Sequence, residues 1–229
     1  MSADDQVYIQ ALALGLDPAW RRRSDEERHD DGGRFADAEA AAELGGVRSV
    51  TYSSVGLEPG VDFLFWRMAP TIDALETAAA GLLRAGLGRW LSVRHSLLGR
   101  IGPSQYVKKP TDQEQSLFSG ERSRYLVVYP FTKSTDWYLL SREARQGIMN
   151  EHMRVGHEYP TIRQALAYSF GLDSQDFVVA YETDDLVAFG DLVRALRGTE
   201  SRRSTVSDTP ILLGIHRPLD EILSLLGAP

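Results

Sequence analysis

The sequence predicts an α+β fold built from two ferredoxin-like halves, each with the order β-α-β-β-α-β. The strand–turn–strand segment at residues 52–63 recurs at residues 168–177, with Tyr-Ser, a Gly-Leu-acid turn and Asp-Phe in the same order. Each copy is followed by a segment whose apolar residues recur at three- and four-residue spacing, which is typical of an amphipathic helix. Because an internal repeat indicates a duplicated unit, we expect both halves to share one topology.

The first half begins with an apolar strand and a helix for which Asp17 can be the N-cap and Pro18 the first residue. Gly32 and Gly33 could break this helix, because glycine is a poor helix former. The predicted elements of this half are strand 7–14, helix 18–44, strand 48–57, strand 61–69, helix 71–85 and strand 93–101.

The second half repeats this order, and Gly156 and Gly198 are expected to end its two helices. Its predicted elements are strand 124–131, helix 141–156, strand 161–170, strand 176–182, helix 185–197 and strand 209–216. The segment 102–120 is polar and has no apolar pattern, so it is predicted to be a linker. The chain is therefore divided into an N-terminal half at 1–101, a linker at 102–120 and a C-terminal half at 121–229.

Composition excludes several classes of function. The net charge of −7 argues against a binder of nucleic acid or of an anionic membrane, since both need a basic surface. The absence of cysteine excludes disulfides, thiolate zinc sites, iron–sulfur clusters and a cysteine nucleophile. No apolar run approaches the roughly 20 residues of a membrane span, and the acidic start does not resemble a signal peptide. We therefore expect a cytoplasmic protein.

His152 is the most informative polar residue, because it lies on the apolar face of the predicted helix 141–156 together with Ile148, Met149 and Val155. A buried imidazole needs a partner, which is either a protein group or a metal ion. A lone histidine in this position is more often a satisfied core residue than a ligand. His157 is the rival candidate, but it follows the end of the helix and is expected at the surface. No two histidines have the spacing of a multi-histidine metal site.

Three further polar residues lie on predicted strands. In strand 161–170, alternation places Gln164 on a face that is otherwise apolar and Arg163 on the other face. An amide in this position is either a satisfied buried group or part of a pocket. At the end of the predicted strand 124–131, Tyr129 could be a plain core residue, and Lys133, two residues beyond the strand, could be a solvated charge.

The chain resembles the chlorite dismutase family of haem proteins, which includes the coproheme decarboxylases of bacterial haem synthesis. The resemblance covers nearly the whole chain. It is carried in the first half by DPAWRR, TYSSVGL, DFLFW, GLGRWL and PSQY, and in the second by YPFTKSTDWYLLS, EHMRVGHEYP, YSFGLDSQDFVVAYETDDL, LVRALRGTES and DTPILLG. It implies two ferredoxin-like halves per chain, a fold of the dimeric α+β barrel type, and a homo-oligomer for which a pentamer is favoured over a dimer.

The same resemblance implies roles for the candidate residues. His152 matches the proximal ligand of the iron, with Glu200 as its hydrogen-bond partner. Gln164 matches the residue over the iron on the distal side. Tyr129 matches the tyrosine that carries the radical in coproheme decarboxylases, and Lys133 the lysine beside the reacting propionate.

The implied cofactor is haem b or coproheme III, both of which contain iron. Arg197 matches an arginine near the propionates of the porphyrin, and Arg122, Arg124 and Tyr106 are further candidates for propionate contacts. The implied partners are coproheme or haem and hydrogen peroxide, with no nucleic acid and no membrane.

The resemblance implies a haem oxidoreductase, and foremost a peroxide-dependent decarboxylase that converts coproheme III to haem b. One alternative is a chlorite dismutase or a general haem peroxidase. Chlorite-degrading members carry a distal arginine, so this alternative requires Arg163 rather than Gln164 to face the iron. Another alternative is a haem-binding paralogue without turnover. A second group of coproheme decarboxylases uses a distal histidine from the linker. The linker of this sequence contains no histidine.

Overall fold

The computed structural model describes residues 7–103, 106 and 121–228. Most of the predicted linker lies outside these residues. The described strands are β1 Tyr8–Leu16, β2 Arg48–Glu58, β3 Val61–Ala69, β4 Leu91–Arg100, β5 Tyr125–Lys133, β6 Arg163–Tyr168, β7 Phe177–Thr183, β8 Thr205–Ser207 and β9 Leu212–His216. The α-helices are α1 Asp25–Leu44, α2 Ile72–Arg84, α3 Thr135–Leu139, α4 Arg142–Gly156, α5 Leu186–Arg197 and α6 Leu219–Leu226.

The chain folds as two compact units, one that reaches Ile101 and also contains the chain from Leu213 onwards, and one that spans Gly102–Leu212. In the first unit the strands are antiparallel in the order β4-β1-β3-β2-β9. The order of β4, β1, β3 and β2, with α1 and α2 as connections, is that of a ferredoxin-like unit. The predicted α+β fold class is confirmed.

The first helix differs from its prediction. Pro18–Arg22 form a separate 3₁₀ turn, and α1 begins only after Ser24. Ser24 and Glu27 form a capping box, in which each side chain accepts a hydrogen bond from the backbone of the other, and this motif sets the start of the helix. The predicted break at Gly32 and Gly33 is wrong, because α1 continues through both residues.

The C-terminal segment packs on the first unit, which the sequence did not predict. Strand β9 pairs with β2 at Tyr52 and Ser53. Helix α6 buries Ile222, Leu223 and Leu226 in the core cluster of the first unit. Gly227 ends α6 with a φ of 91°, a conformation that favours glycine.

The core of the first unit contains a fully buried cation, Arg67, that forms an ion pair. Arg67 is fully buried, and its Nη2 lies 3.0 Å from Oε2 of Glu39 on α1. Its guanidinium carbon lies 4.8 Å from the centroid of the Phe65 ring. Burial lowers the pKa of Arg67, while the charge of Glu39 opposes this shift. The cation is therefore held in the core chiefly by one carboxylate.

Replacing Glu39 by alanine is expected to lower the free energy of unfolding by about 3–5 kcal/mol, because a buried guanidinium would lose its counter-charge. Urea unfolding measures this change. Alanine favours helix, so a loss cannot be attributed to helix propensity. The matched control is Glu43→Ala at an exposed position of α1, with an expected change within about 0.5 kcal/mol. The double variant Glu39→Leu with Arg67→Met should recover most of the loss, and equal stability of Glu39→Ala and the wild type would contradict the assignment.

In the second unit the strands are antiparallel in the order β6-β7-β5-β8. Helix α5 packs through Phe189, Leu192 and Leu196 against the face of this sheet that carries Tyr129 and Tyr181, and we call this face the helix-side face. The strand pairing assigns these residues of β5, β6 and β7 to the helix-side face: Val127, Tyr129, Phe131, Gln164, Leu166, Tyr168, Phe177, Val179 and Tyr181. None of the helices in the described part of the chain has the length and apolarity that crossing a membrane requires.

Candidate functional site

Helix α4 carries His152 and begins where the sequence predicts, because the hydroxyl of Ser141 accepts a hydrogen bond from the backbone N–H of Ala144. No residue of α4 is fully buried, although the stripe with Ile148, Met149 and His152 is partly covered. An amphipathic helix that packs directly on a core normally buries such a stripe. The described side chains therefore leave the inner face of α4 incompletely covered.

His152 has the properties of a side chain that is available to bind a metal ion. Its Nδ1 is buried and has no hydrogen-bond partner among the described residues. Burial, reinforced by the charge of Lys133, lowers the pKa of His152 to about 4, while Glu151 opposes the shift. The imidazole is consequently neutral at pH 7, which is the form that binds a metal ion. His157 follows the end of α4 and is exposed, so the structure favours His152 of the two candidates.

The structure shows no hydrogen bond between the carboxylate of Glu200 and the buried Nδ1 of His152. Glu200 lies in a 3₁₀ turn, where its carboxylate is 3.2 Å from Nε of Arg203 and about half exposed. Its backbone N–H donates a hydrogen bond to Oε2 of Glu151 at 3.0 Å. The three-residue spacing within the turn explains why Glu200 pairs with Arg203.

Lys133 is buried at the end of β5, so it is not a solvated surface charge. Its Nζ donates hydrogen bonds of 2.9 Å to the backbone carbonyl and to the hydroxyl of Ser201. The same atom lies 4.4 Å from the centroid of the Trp137 ring. Burial, together with the charge of Arg202, lowers the pKa of Lys133 to about 8. A lysine with this pKa can release and take up a proton near neutral pH.

Tyr129 lies on the helix-side face, in the same apolar cluster as Tyr181. The two rings are stacked with centroids 6.2 Å apart. Burial raises the pKa of Tyr129 well above its usual value, so the phenol keeps its proton. The positive charge of Arg197 acts in the opposite direction. Arg197 is about half exposed and lies 4.0 Å from Asp208, at the edge of this group.

Gln164 and Arg163 occupy opposite faces of β6. Gln164 is the cross-strand neighbour of Tyr181 and therefore lies on the helix-side face. Arg163 points to the other face, where its Nη2 is 3.0 Å from Oε2 of the fully buried Glu182. Arg163 also donates hydrogen bonds to the carbonyl of Glu121 and the hydroxyl of Ser123. These three contacts hold its guanidinium away from the side that carries Tyr129.

The three other candidates for propionate contacts lie in different surroundings. Nη1 of Arg122 lies 3.7 Å from Oε1 of Glu182, so Arg122 is a second counter-charge for that carboxylate. Arg124 is exposed, with its guanidinium over the ring of Tyr125. Tyr106 is brought to the site, because its ring contacts Trp137 edge-on at 6.4 Å between centroids.

Sequence reasoning missed three residues that complete the site. Trp137 is buried against Lys133, but no spacing rule joins the last residue of a strand to the helix that follows it. Tyr181 could have been found by the alternation in FVVAYET, which places it on one face with Phe177 and Val179. The contact of Ser201 with Lys133 joins distant parts of the chain, and no local pattern indicates it.

The comparisons with known proteins agree on one family. The family described as chlorite dismutase matches residues 28–217. The chain is 29% identical over 177 residues to the coproheme decarboxylase of Mycolicibacterium smegmatis, covering 76% of this chain and 75% of that protein. It is 25% identical over 184 residues to the chlorite dismutase of Ideonella dechloratans, covering 77% of this chain and 65% of that protein. The solved chlorite dismutase of Candidatus Nitrospira defluvii in complex with imidazole is 30% identical, with a TM-score of 0.88 over 96% of this chain and 95% of that chain.

Proposed function

This chain belongs to the chlorite dismutase family, and from this premise we propose that it is a peroxide-dependent decarboxylase that converts coproheme III to haem b. The cofactor is an iron porphyrin, as in this family of haem proteins. The curated relative from Mycolicibacterium smegmatis, a coproheme decarboxylase, supports the choice of substrate.

The residues of the second unit fit an iron porphyrin. His152 offers a neutral imidazole with an unpartnered, buried Nδ1, and the inner face of α4 around it is incompletely covered. His152 would ligate the iron, Gln164 would lie over the opposite side, and Arg197 and Tyr106 would contact propionates. An iron porphyrin with one histidine ligand supplies oxidation by hydrogen peroxide at its open position.

The overall reaction fixes what the protein must provide. One propionate, one hydrogen peroxide and one proton give one vinyl group, one carbon dioxide and two waters. The propionate therefore loses two electrons, which reduce the peroxide, and one proton from its β-carbon, so that one of these electrons can leave with the proton as a hydrogen atom. The protein must transfer that hydrogen and supply the additional proton.

Tyr129 is the proposed hydrogen carrier. Its phenol is half-buried and protonated, so it can give up an electron and a proton together, and this proton ends in water formed from the peroxide. The resulting phenoxyl takes a hydrogen atom from the β-carbon of the propionate, which restores the phenol. The carbon radical then loses its electron and carbon dioxide. Lys133, with a pKa of about 8, can supply the remaining proton and orient the carboxylate.

The observation that carries the proposal is the pairing of Arg163 with Glu182. It leaves the uncharged Gln164 on the helix-side face and ties the neighbouring guanidinium to the other face. A distal arginine accompanies chlorite decomposition in this family, whereas a distal glutamine accompanies one group of coproheme decarboxylases. We further propose that the protein is a cytoplasmic homo-oligomer, with a pentamer favoured, and sedimentation velocity measures that state.

The direct test is to load the protein with coproheme, add hydrogen peroxide stepwise, and follow the porphyrin by mass spectrometry. We expect two successive losses of the elements of formic acid, which correspond to two vinyl groups, with one peroxide consumed in each. Oxygen evolution after addition of chlorite, without loss of propionate, would instead favour a chlorite dismutase. An unchanged porphyrin in both reactions would favour a binding protein.

A further inference from the structure

Asp176 lies immediately before β7, and the sheet of the second unit fixes its backbone on two sides. Its N–H donates a hydrogen bond of 3.1 Å to the carbonyl of Phe131 on β5. Its carbonyl accepts a hydrogen bond of 2.8 Å from the N–H of Ser169, which follows β6. The carboxylate of Asp176 is therefore attached to a backbone that can move little relative to β5.

One oxygen of this carboxylate accepts two short hydrogen bonds. The backbone N–H of Lys133, the last residue of β5, donates to Oδ2 of Asp176 at 2.7 Å. The phenol of Tyr138 on α3 donates to the same atom, also at 2.7 Å. Hydrogen bonds to a carboxylate are stronger than those between neutral groups. A single atom thus joins the two ends of segment 133–138, and we call Asp176, Lys133 and Tyr138 the carboxylate clamp.

The segment that the carboxylate clamp closes contains Trp137. This side chain is 2% exposed, and the centroid of its ring is 4.4 Å from Nζ of Lys133. Because Tyr138 is the next residue in the chain, a fixed phenol also limits the movement of the indole. The hydrogen bonds of Nζ to Ser201 hold only the tip of the lysine. The clamp adds control of its backbone and of the ring that covers it.

Packing alone does not require the hydroxyl of Tyr138. The ring contacts Phe170 edge-on with centroids 5.9 Å apart, and a phenylalanine would make the same contact. Tyr138 is 38% exposed, so water could satisfy the hydroxyl, yet the hydroxyl donates to Asp176 instead. Burial and this hydrogen bond raise the pKa of Tyr138, so the phenol is neutral and stays a donor.

We propose that Asp176 is a positioning residue for Lys133, and that it clamps segment 133–138 so that the indole of Trp137 covers the ammonium group of the lysine. This inference rests on the proposed function, in which Lys133 orients the carboxylate of the propionate and supplies a proton. Asp176 acts only through Lys133. Loss of one hydrogen bond of the clamp should therefore slow propionate loss by about 2- to 12-fold, the usual effect of one such bond.

The first test follows Lys133 by nuclear magnetic resonance in the cofactor-free protein. The sequence contains only three lysines, Lys108, Lys109 and Lys133, so Lys133→Met identifies the signals of the third. An aromatic ring shields protons that lie over its face, and Nζ of Lys133 lies over the ring of Trp137. We therefore expect the ε-methylene protons of Lys133 to resonate upfield of those of the other two lysines.

Tyr138→Phe releases one side of the clamp without changing a charge. We expect a smaller upfield shift of the Lys133 signals. The pKa of Lys133 should also rise from about 8 towards its ordinary value of 10.5, because the ammonium becomes more accessible to water. Arg202 and His152, which interact electrostatically with Lys133, are unaltered in this variant. Unchanged signals and an unchanged pKa of Lys133 would refute the clamp.

Two variants of Asp176 test the carboxylate itself. Asp176→Ala removes both hydrogen bonds and should change the Lys133 signals at least as much as Tyr138→Phe does. Asp176→Asn keeps an acceptor oxygen and should retain most of the shielding. The matched control is Asp136→Asn at an exposed position of α3, which removes a negative charge from the same segment and should give the wild-type signals.

The second test measures the rate of propionate loss after peroxide is added to the protein loaded with coproheme. Tyr138→Phe should be slower than the wild type by the factor given above, and Asp136→Asn should react at the wild-type rate. A wild-type rate in Tyr138→Phe, together with a slow Lys133→Met, would refute the positioning role alone. A wild-type rate in Lys133→Met would instead refute the role of this lysine in the proposed function, whatever the resonance signals show.

Discussion

The His152→Ala variant is expected to remain folded but to lose the side chain that would ligate the iron of coproheme or haem. Loss of a residue that only hydrogen-bonds to a metal ligand typically lowers affinity by about 10- to 100-fold. Removal of the ligand itself should weaken cofactor binding by more than this. Titration of the cofactor-free protein with coproheme, followed at the Soret band, measures this change. Added imidazole should restore ligation, because the truncated side chain leaves room for it beside α4.

The stability of the cofactor-free variant distinguishes a ligand from an ordinary core histidine. Nδ1 of His152 has no partner among the described residues, so truncation removes an unsatisfied buried group as well as packing. We therefore expect the free energy of unfolding at pH 7 to change by no more than about 1 kcal/mol. His157→Ala is the matched control, with wild-type ligation. A variant that unfolds while His157→Ala stays folded, or one that keeps the wild-type Soret band, would contradict this role of His152.

The pKa of His152 predicts how the stability of the cofactor-free wild type depends on pH, and His152→Ala is the variant for comparison. In the folded protein this pKa is about 4, below its ordinary value of 6.5, so the unfolded chain takes up the proton first as the pH falls. The cofactor-free wild type should therefore lose stability between about pH 6.5 and pH 4. Thermal unfolding measured across this range should show a smaller loss for His152→Ala.

The Tyr129→Phe variant should bind coproheme with wild-type affinity and should form no vinyl groups above background. The substitution removes only the hydroxyl, so the aromatic packing of β5 is retained. Because the hydroxyl is the proposed reacting group, we expect the rate of propionate loss to fall by at least about 100-fold. Product mass after peroxide addition and the Soret band before it measure the two properties separately.

The matched control for Tyr129→Phe is Tyr125→Phe, on the same strand and the same side as Tyr129 but four residues earlier. Its rate should be that of the wild type. Decarboxylation by Tyr129→Phe at the wild-type rate would show that another group transfers the hydrogen. Loss of coproheme binding in that variant would show instead that Tyr129 holds the substrate, and would remove the argument for a radical carrier.

Local pattern was sufficient for most strands and for the orientation of their residues. Strand β3 coincides with its prediction, and alternation correctly placed Gln164 and Arg163 on opposite faces of β6. This succeeded because the side chains of a strand alternate strictly, so one residue assigned to a face assigns its neighbours. Likewise, three- and four-residue spacing correctly indicated that His152 faces inward.

Contacts between distant segments could not be predicted. Local sequence pattern favours a solvated surface charge for Lys133. Only the fold brings this lysine to Ser201 and Trp137. The expectation for Glu200 came from resemblance, and in the structure a local ion pair with Arg203 occupies its carboxylate. The resemblance makes Arg122 a candidate for a propionate contact, whereas in the structure its Nη1 lies 3.7 Å from Oε1 of Glu182 on β7. For Lys133 and Arg122, the partners Ser201 and Glu182 lie outside the sequence window over which periodicity carries information.

The placement of Leu213–Ala228 with the first unit has a consequence for how the protein is made. Synthesis proceeds from the N-terminus, and domains generally fold as units as they emerge. The segment Gly102–Leu212 is contiguous and leaves the ribosome before β9 and α6, so the unit that begins first is completed last. A nascent chain stopped before Leu213 should therefore expose the apolar surface that Ile222, Leu223 and Leu226 normally cover, while it already contains every residue assigned to catalysis.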